Sequence, residues 1–342
     1  MGLNATGSAT SAGTSLGEVE MVGGPPSHVR VRVPCKVNLF LAVRGVRDDG
    51  YHEVVTVLQT VSIHDTLEAQ LERSGASAHP AARRFMELAF THDGAGGVPV
   101  DDGNLAVQAA RRLMAEVGMG ASDRDGHSGL PITRLHLEKR IPVAAGMAGG
   151  SADAAASLVA LNRLWEAELD QTALRELAGE LGSDVPFCVS GGTALATGTG
   201  TATAQVLTRG VYYWVVGISG QPLSTPEVYR AYDRIAEPSD VQPDAVLQAL
   251  RTGDAEALGA ALHNDLEPAA FELRPELADG CAALLEAGAL GAMVSGSGPT
   301  VVGLAGSAQD AASIARAVAD RFDRVEVAMS PAGGPEVSGG SV

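Results

Sequence analysis

The sequence predicts an α+β protein of two domains, and three observations carry that prediction. At 342 residues the chain is long for a single core, against about 100–200 residues for a typical domain. Period-two apolar stretches and helix-period stretches are interleaved without a regular strand–helix–strand repeat, which favours α+β over a doubly wound parallel sheet. A glycine-rich run at 142–152 separates a strand pattern from a helix pattern.

The elements follow in order. Residues 1–27 are rich in Gly, Ser, Thr and Ala and end on Gly23-Gly24-Pro25-Pro26, so they read as a disordered leader. Residues 28–33 alternate apolar and polar and predict a strand; 39–43 are its continuation or partner, and 54–63 predict another. A helix is expected over 104–117, with Asn104 as its N-cap, and a strand over 132–137. The stretches 93–97 and 123–129 read as flexible loops. Helices are then expected over 152–165 and 172–181, the second stopped by Gly182. A buried strand at 211–218 belongs to the second domain. It precedes helices at 226–235, 243–250, 255–262 and 275–286, strands at 293–294 and 301–304, a helix at 308–322 and a strand at 324–329. The expected partition is a first domain over 28–195, a second over 196–330, and a flexible tail over 331–342.

Composition narrows the function. Hydrophobic residues make up 45% of the chain, enough for substantial cores. The formal charge of -17 makes nucleic acid an unexpected partner, and it requires any bound phosphate to be held by backbone amides and a few placed cations. No apolar run approaches the ~18 residues of a membrane span, and no signal-peptide pattern opens the chain. Cys35, Cys188 and Cys281 have no metal-ligand spacing and read as reduced, buried thiols, so a cytoplasmic location is expected.

The chemistry is concentrated in a few segments. The run Pro142, Val143, Ala144, Ala145, Gly146, Met147, Ala148, Gly149, Gly150, Ser151, Ala152 places a tight turn just before a helix. That arrangement aims free N–H groups and the positive end of the helix dipole at an anion. The Ser151 hydroxyl can bind a phosphate oxygen or a metal ion, and tight packing alone would also place glycine here. The run has no Gly-Lys-Ser/Thr ending and no G-x-G-x-x-G frame, which excludes a Walker A loop and a dinucleotide fingerprint. Lys36 lies inside the apolar run 34–41, where a charge needs a partner, and reads equally as a solvated surface lysine; Asn38 shares that segment and can hydrogen-bond a ligand. Gly50-Tyr51-His52 offers a ring that can stack and an imidazole that can donate, or equally a packed hairpin turn. Asp184 sits in the apolar stretch 182–187 after a helix; near a lysine it would accept a hydroxyl proton, and on its own it would be a turn former. The loop Ser295-Gly296-Ser297-Gly298-Pro299-Thr300 is a second small-residue turn between strands.

Taken together, Lys36, the run 142–152 and the loop 295–300 resemble the three ordered motifs of the GHMP kinases, over roughly 29–329. This superfamily includes galactokinase, homoserine kinase and mevalonate kinase. Lys36-Val37-Asn38, Asp49-Gly50-Tyr51-His52, Gly103-Asn104-Leu105, 181–187 and Ser224-Thr225-Pro226 are similar to the branch acting on cytidine-diphosphate methylerythritol. The resemblance implies a ribosomal protein S5 domain 2-like N-terminal domain, a ferredoxin-like C-terminal domain and an active site in the cleft between them. It implies ATP and Mg²⁺, with the run 142–152 around the phosphates, Asp184 as base and Lys36 orienting the reacting groups. Asn38, Tyr51, His52 and Thr225 would meet the small-molecule substrate, with Tyr51 stacked on the cytosine. Homoserine- or mevalonate-type kinases, and an inactive nucleotide-binding regulator, are the rival readings; monomer and homodimer stay equally open. One departure matters: Ala144, Ala145 and Ala148 stand where the family loop carries more glycine, and alanine is expected there only where φ is negative.

Overall fold

The computed structural model describes residues 26–72, 85–94, 97–121, 132–143 and 145–339. The leader expected over 1–27, apart from Pro26 and Ser27, and the loop expected over 123–129 lie outside these residues.

The first domain is built on a long antiparallel pair, β1 (His28–Val46) and β2 (His52–Glu72). The two strand pieces expected in β1 are one strand, because register shifts at Pro34/Cys35 and Asn38/Phe40 let it bend without ending. β3 (Phe85–Gly94), absent from the sequence reading, runs parallel to β5 (Ile132–Lys139). Between them come α1 (Leu105–Glu116), capped by Asn104 as expected, and the short β4 (Gly120–Ala121). Residues 93 and 94, read as loop, close β3.

α2 (Gly149–Leu164) is buried on most sides and packs on β1, β2, α1 and α4. α3 (Gln171–Leu181) ends at Gly182 as expected, and α4 (Val185–Ser190) follows at once. The hairpin β6 (Thr193–Thr197) and β7 (Ala202–Gln205) joins β2. The partition expected at 195/196 falls within β6, a strand of the first sheet, and the first strand of the second sheet begins at Tyr212.

The second domain is a four-stranded antiparallel sheet, in order β10-β11-β8-β12, with a β-α-β-β-α-β chain path. It begins with β8 (Tyr212–Ile218), then α5 (Thr225–Ile235), α6 (Asp244–Thr252) and α7 (Ala255–Ala261). β9 (His263–Asn264) leaves this domain to pair in parallel with β1 at Phe40 and Leu41. α8 (Glu267–Leu273), α9 (Glu276–Glu286), β10 (Gly291–Val294), β11 (Val301–Ala305), α10 (Ala308–Ala317) and β12 (Arg324–Ser330) complete it.

The period-two alternation of β8 divides the cores. Tyr212, Trp214, Val216 and Ile218 join the core of the first domain, while Val215 joins the core made with α5, α8, α9 and α10. Of the tail read as flexible over 331–342, the described residues 331–339 double back on the first domain. Ala332 N–H donates to Thr60 O at 3.1 Å, Gly333 O accepts from Gly192 N–H at 3.0 Å, and β13 (Glu336–Ser338) adds to the edge of β1. Its small polar residues carry no periodic signal, but they fit where Gly191 and Gly334 let two backbones meet.

Candidate active site

A cleft of about 910 Å³ opens between the domains. Of the residues singled out from the sequence, Lys36, Asn38, Tyr51, His52, Ala145, Gly146, Ala148, Gly149, Gly150, Ser151, Asp184 and Thr225 line it. Met147 and Ala152 are buried in the core behind the loop, Val143 is turned to solvent, Pro142 is half-buried, and Ala144 lies outside the described residues.

Lys36 is 4% exposed and sits on β1 between the register shifts at Pro34/Cys35 and Asn38/Phe40. A buried ammonium needs acceptors, and it has them: Nζ donates to Asn38 Oδ1 at 2.7 Å and to Gly146 O at 2.9 Å, with Asp184 Oδ2 at 3.8 Å. Asn38 in turn donates to Thr56 Oγ1 at 2.8 Å, which donates to Phe40 O at 2.6 Å. The Asn38 amide is thus committed to holding Lys36. Asp184 stands at the N-cap position of α4, yet its carboxylate makes no capping bond. It faces the cleft, about one-third exposed, opposite Lys36.

The glycine run forms the facing wall. Gly146 has φ +72°, and a Cβ there would lie 2.3 Å from Ser295 O, so only glycine fits. Ala148 is the N-cap of α2 in the left-handed region, φ 56° and ψ 35°, contrary to the expectation that alanines in this loop would keep negative φ. The tertiary packing of Met147 and Ala152 on either side overrides its local preference. Ala148 supplies no side-chain cap, and the first intrahelical bond is Ala152 N–H to Ala148 O at 2.9 Å. The N–H groups of Gly149, Gly150 and Ser151 are thereby left for an anion at the helix end.

A buried ion cluster anchors this wall from below. Lys139 Nζ donates to Asp65 Oδ2 at 2.5 Å and to Asp153 Oδ2 at 2.7 Å. Asp65 Oδ1 accepts from the N–H groups of Arg140 and Ile141. Burial works against the Lys139 ammonium, but the two carboxylates outweigh it and hold it above its ordinary range.

At the other end, His52 stacks on Tyr229 with centroids 4.5 Å apart, and its Nε2 lies 2.7 Å from Asp233 Oδ1. Tyr51 is 68% exposed at the cleft mouth. Burial, with the Asp184 carboxylate adding to it, pushes the Tyr229 hydroxyl well above its usual range. Thr225 Oγ1 is 2.8 Å from Ser297 Oγ, which brings the third motif to the site. Tyr229 and Asp233 were missed in the sequence. Their spacing from Thr225, four and eight residues along one helix face, was the available signal.

A kinase is the class this geometry defines: an anion-binding helix end, a lysine–aspartate pair beside it and a roomy cleft beyond. The chain belongs to the GHMP kinases. Residues 104–192 match the GHMP kinases N terminal domain and 246–324 the GHMP kinases C terminal domain. GHMP kinases use ATP as phosphate donor. More particularly, the chain is 47% identical over 298 residues to the 4-diphosphocytidyl-2-C-methyl-D-erythritol kinase of Salinispora tropica, covering 85% of this chain and 88% of that one. A crystal structure of 4-(cytidine 5'-diphospho)-2C-methyl-D-erythritol kinase superposes with a TM-score of 0.68 at 33% identity, covering 91% of this chain and all of that one. The homoserine kinase of Cytophaga hutchinsonii superposes almost as well, TM-score 0.67, over 91% of this chain and 98% of that one, but at 19% identity it shares the fold alone.

Proposed function

We propose that the protein transfers the γ-phosphoryl group of ATP to the 2-hydroxyl of 4-diphosphocytidyl-2-C-methyl-D-erythritol, in the non-mevalonate route to isoprenoid precursors. The observation that carries this reading is the meeting of Lys36, Asp184 and Gly146 at one end of the cleft, with the His52–Tyr229 stack at the other.

In this reading the N–H groups of Gly149, Gly150 and Ser151 hold the nucleotide phosphates. Asp184 takes the proton of the acceptor hydroxyl as its oxygen bonds to Pγ and the bond from Pγ to the bridging oxygen breaks. Lys36, between the carboxylate and the loop, neutralises charge on the transferring group. Because such transition states are loose, positioning supplies much of the acceleration. The donor set also fits Mg²⁺: the Ser151 hydroxyl stands at the helix end, and Mg²⁺ commonly takes few protein oxygens alongside substrate phosphates and water. When bound it would neutralise phosphate charge. Tyr51 and the His52–Tyr229 stack would recognise the cytosine ring, which homoserine and mevalonate lack.

The test is ADP release with the cytidine-diphosphate methylerythritol acceptor, homoserine and mevalonate assayed side by side. Turnover confined to the first is expected. Turnover of either other acceptor, with none of the first, would overturn the substrate assignment.

A further inference from the structure

The segment 263–267 crosses from the second domain to β1 and back, and the side chains of Asn264, Asp265 and Glu267 each bond to backbone. Asn264, 4% exposed, lies on β9 beside Leu41 of β1. Its Nδ2 donates to Val294 O and to Gly296 O, both at 2.8 Å, and its Oδ1 accepts from Leu266 N–H at 3.0 Å. One amide hydrogen therefore holds the 295–300 loop at Gly296 and the other holds the end of β10 just before it, where Glu267 Oε1 also accepts from Val294 N–H at 2.8 Å.

That loop bears on Lys36 from two directions. Gly296, at φ +59°, lies so close that an added Cβ would be 3.1 Å from Asn38 Oδ1 and 3.5 Å from Lys36 Nζ. The carbonyls of Ser295 and Gly298 lie against Gly146. Asn38 Oδ1 and Gly146 O are the two acceptors that aim the Lys36 ammonium. A shift of the loop would move both.

We infer that Asn264 is a positioning residue for phosphoryl transfer: it fixes the 295–300 loop against Asn38 and Gly146 and so sets the direction of Lys36. The inference rests on the proposed role of Lys36. A misplacement of about 1 Å by a residue remote from the chemistry can cost a hundredfold in rate, so Asn264→Ala is expected to slow single-turnover transfer by about 10–100-fold. Affinity for ADP should change less than about threefold, because the helix end that meets the phosphates is not touched.

The discriminating experiment is a double-mutant cycle with Lys36→Ala, fold being checked by thermal melts. If Asn264 acts through Lys36, Asn264→Ala should cost less than about threefold in the Lys36→Ala background. The same fold-loss in both backgrounds would overturn the inference and reduce Asn264 to a packing residue. Asn264→Ser, which keeps one hydroxyl donor, serves where the alanine variant does not fold; it should show a smaller loss that also disappears without Lys36, and a loss that persists would overturn the inference equally. Should Lys36→Ala itself leave the rate unchanged, the role of Lys36 would fall and this inference with it, an outcome distinct from an Asn264 effect that merely fails to couple.

Discussion

Lys36 has two acceptors and one counter-charge within reach, and each comes from a different element: Asn38 from β1, Gly146 from the glycine run and Asp184 from the start of α4. The positive charge is thus held where three segments meet, which a lysine on a solvated surface never needs. Ala148 shows the cost of such precision. Left-handed backbone costs a non-glycine residue about 1–2 kcal/mol, so Ala148→Gly should stabilise the fold by up to ~1 kcal/mol after the added unfolded-chain entropy. Urea unfolding would measure it, and a loss of stability would show that the methyl group packs usefully. At this scale the sequence was informative about charge and poor about geometry. Lys36 and Asp184 stood out because a charged group in an apolar run asks for a partner, and His52 because it follows a turn beside an aromatic ring. The left-handed Ala148 could not be read, because it departs from local preference between the buried Met147 and Ala152.

Among the elements, β13 holds the edge of β1 through Arg32, whose guanidinium pairs with Glu336 and donates to His64 Nδ1 at 3.1 Å. Burial, then the nearby Arg32 charge, lowers the His64 pKa. The neutral imidazole is therefore the native form. The unfolded chain binds this proton more readily, so the stability it contributes is present above about pH 6.5 and lost as the pH falls below it. A fall in melting temperature on acidification, reduced by His64→Gln, is the expected outcome; an equal fall in the variant would place the acid sensitivity elsewhere. Helices and central strands were legible here because their periodicity is strong. β3, the β6–β7 hairpin, β9, α8 and β13 were not: β9, α8 and β13 are short, and β3 and β6 depend on strand partners distant in sequence.

Across the whole molecule, the two domains are joined by buried polar contacts as well as apolar packing. Trp214 Nε1 donates to Ser330 Oγ at 2.7 Å, and Ser330 Oγ donates to Gln59 Oε1 at 2.5 Å, linking β8, β12 and β2. Ser330→Ala would leave the buried indole N–H without its acceptor, at a cost of about 1–3 kcal/mol in unfolding free energy. A change below ~0.5 kcal/mol would mean that another group takes over the contact. The cleft takes its walls from both domains, Lys36 and the glycine run from the first and the 295–300 loop from the second. In the proposed reaction Asp184, opposite Lys36, takes the acceptor proton. Single-turnover phosphoryl transfer by Asp184→Asn, with ATP affinity measured alongside, tests that role. The rate should fall by about 10²–10⁴-fold while ATP affinity stays nearly intact; transfer at the unaltered rate would contradict the assignment.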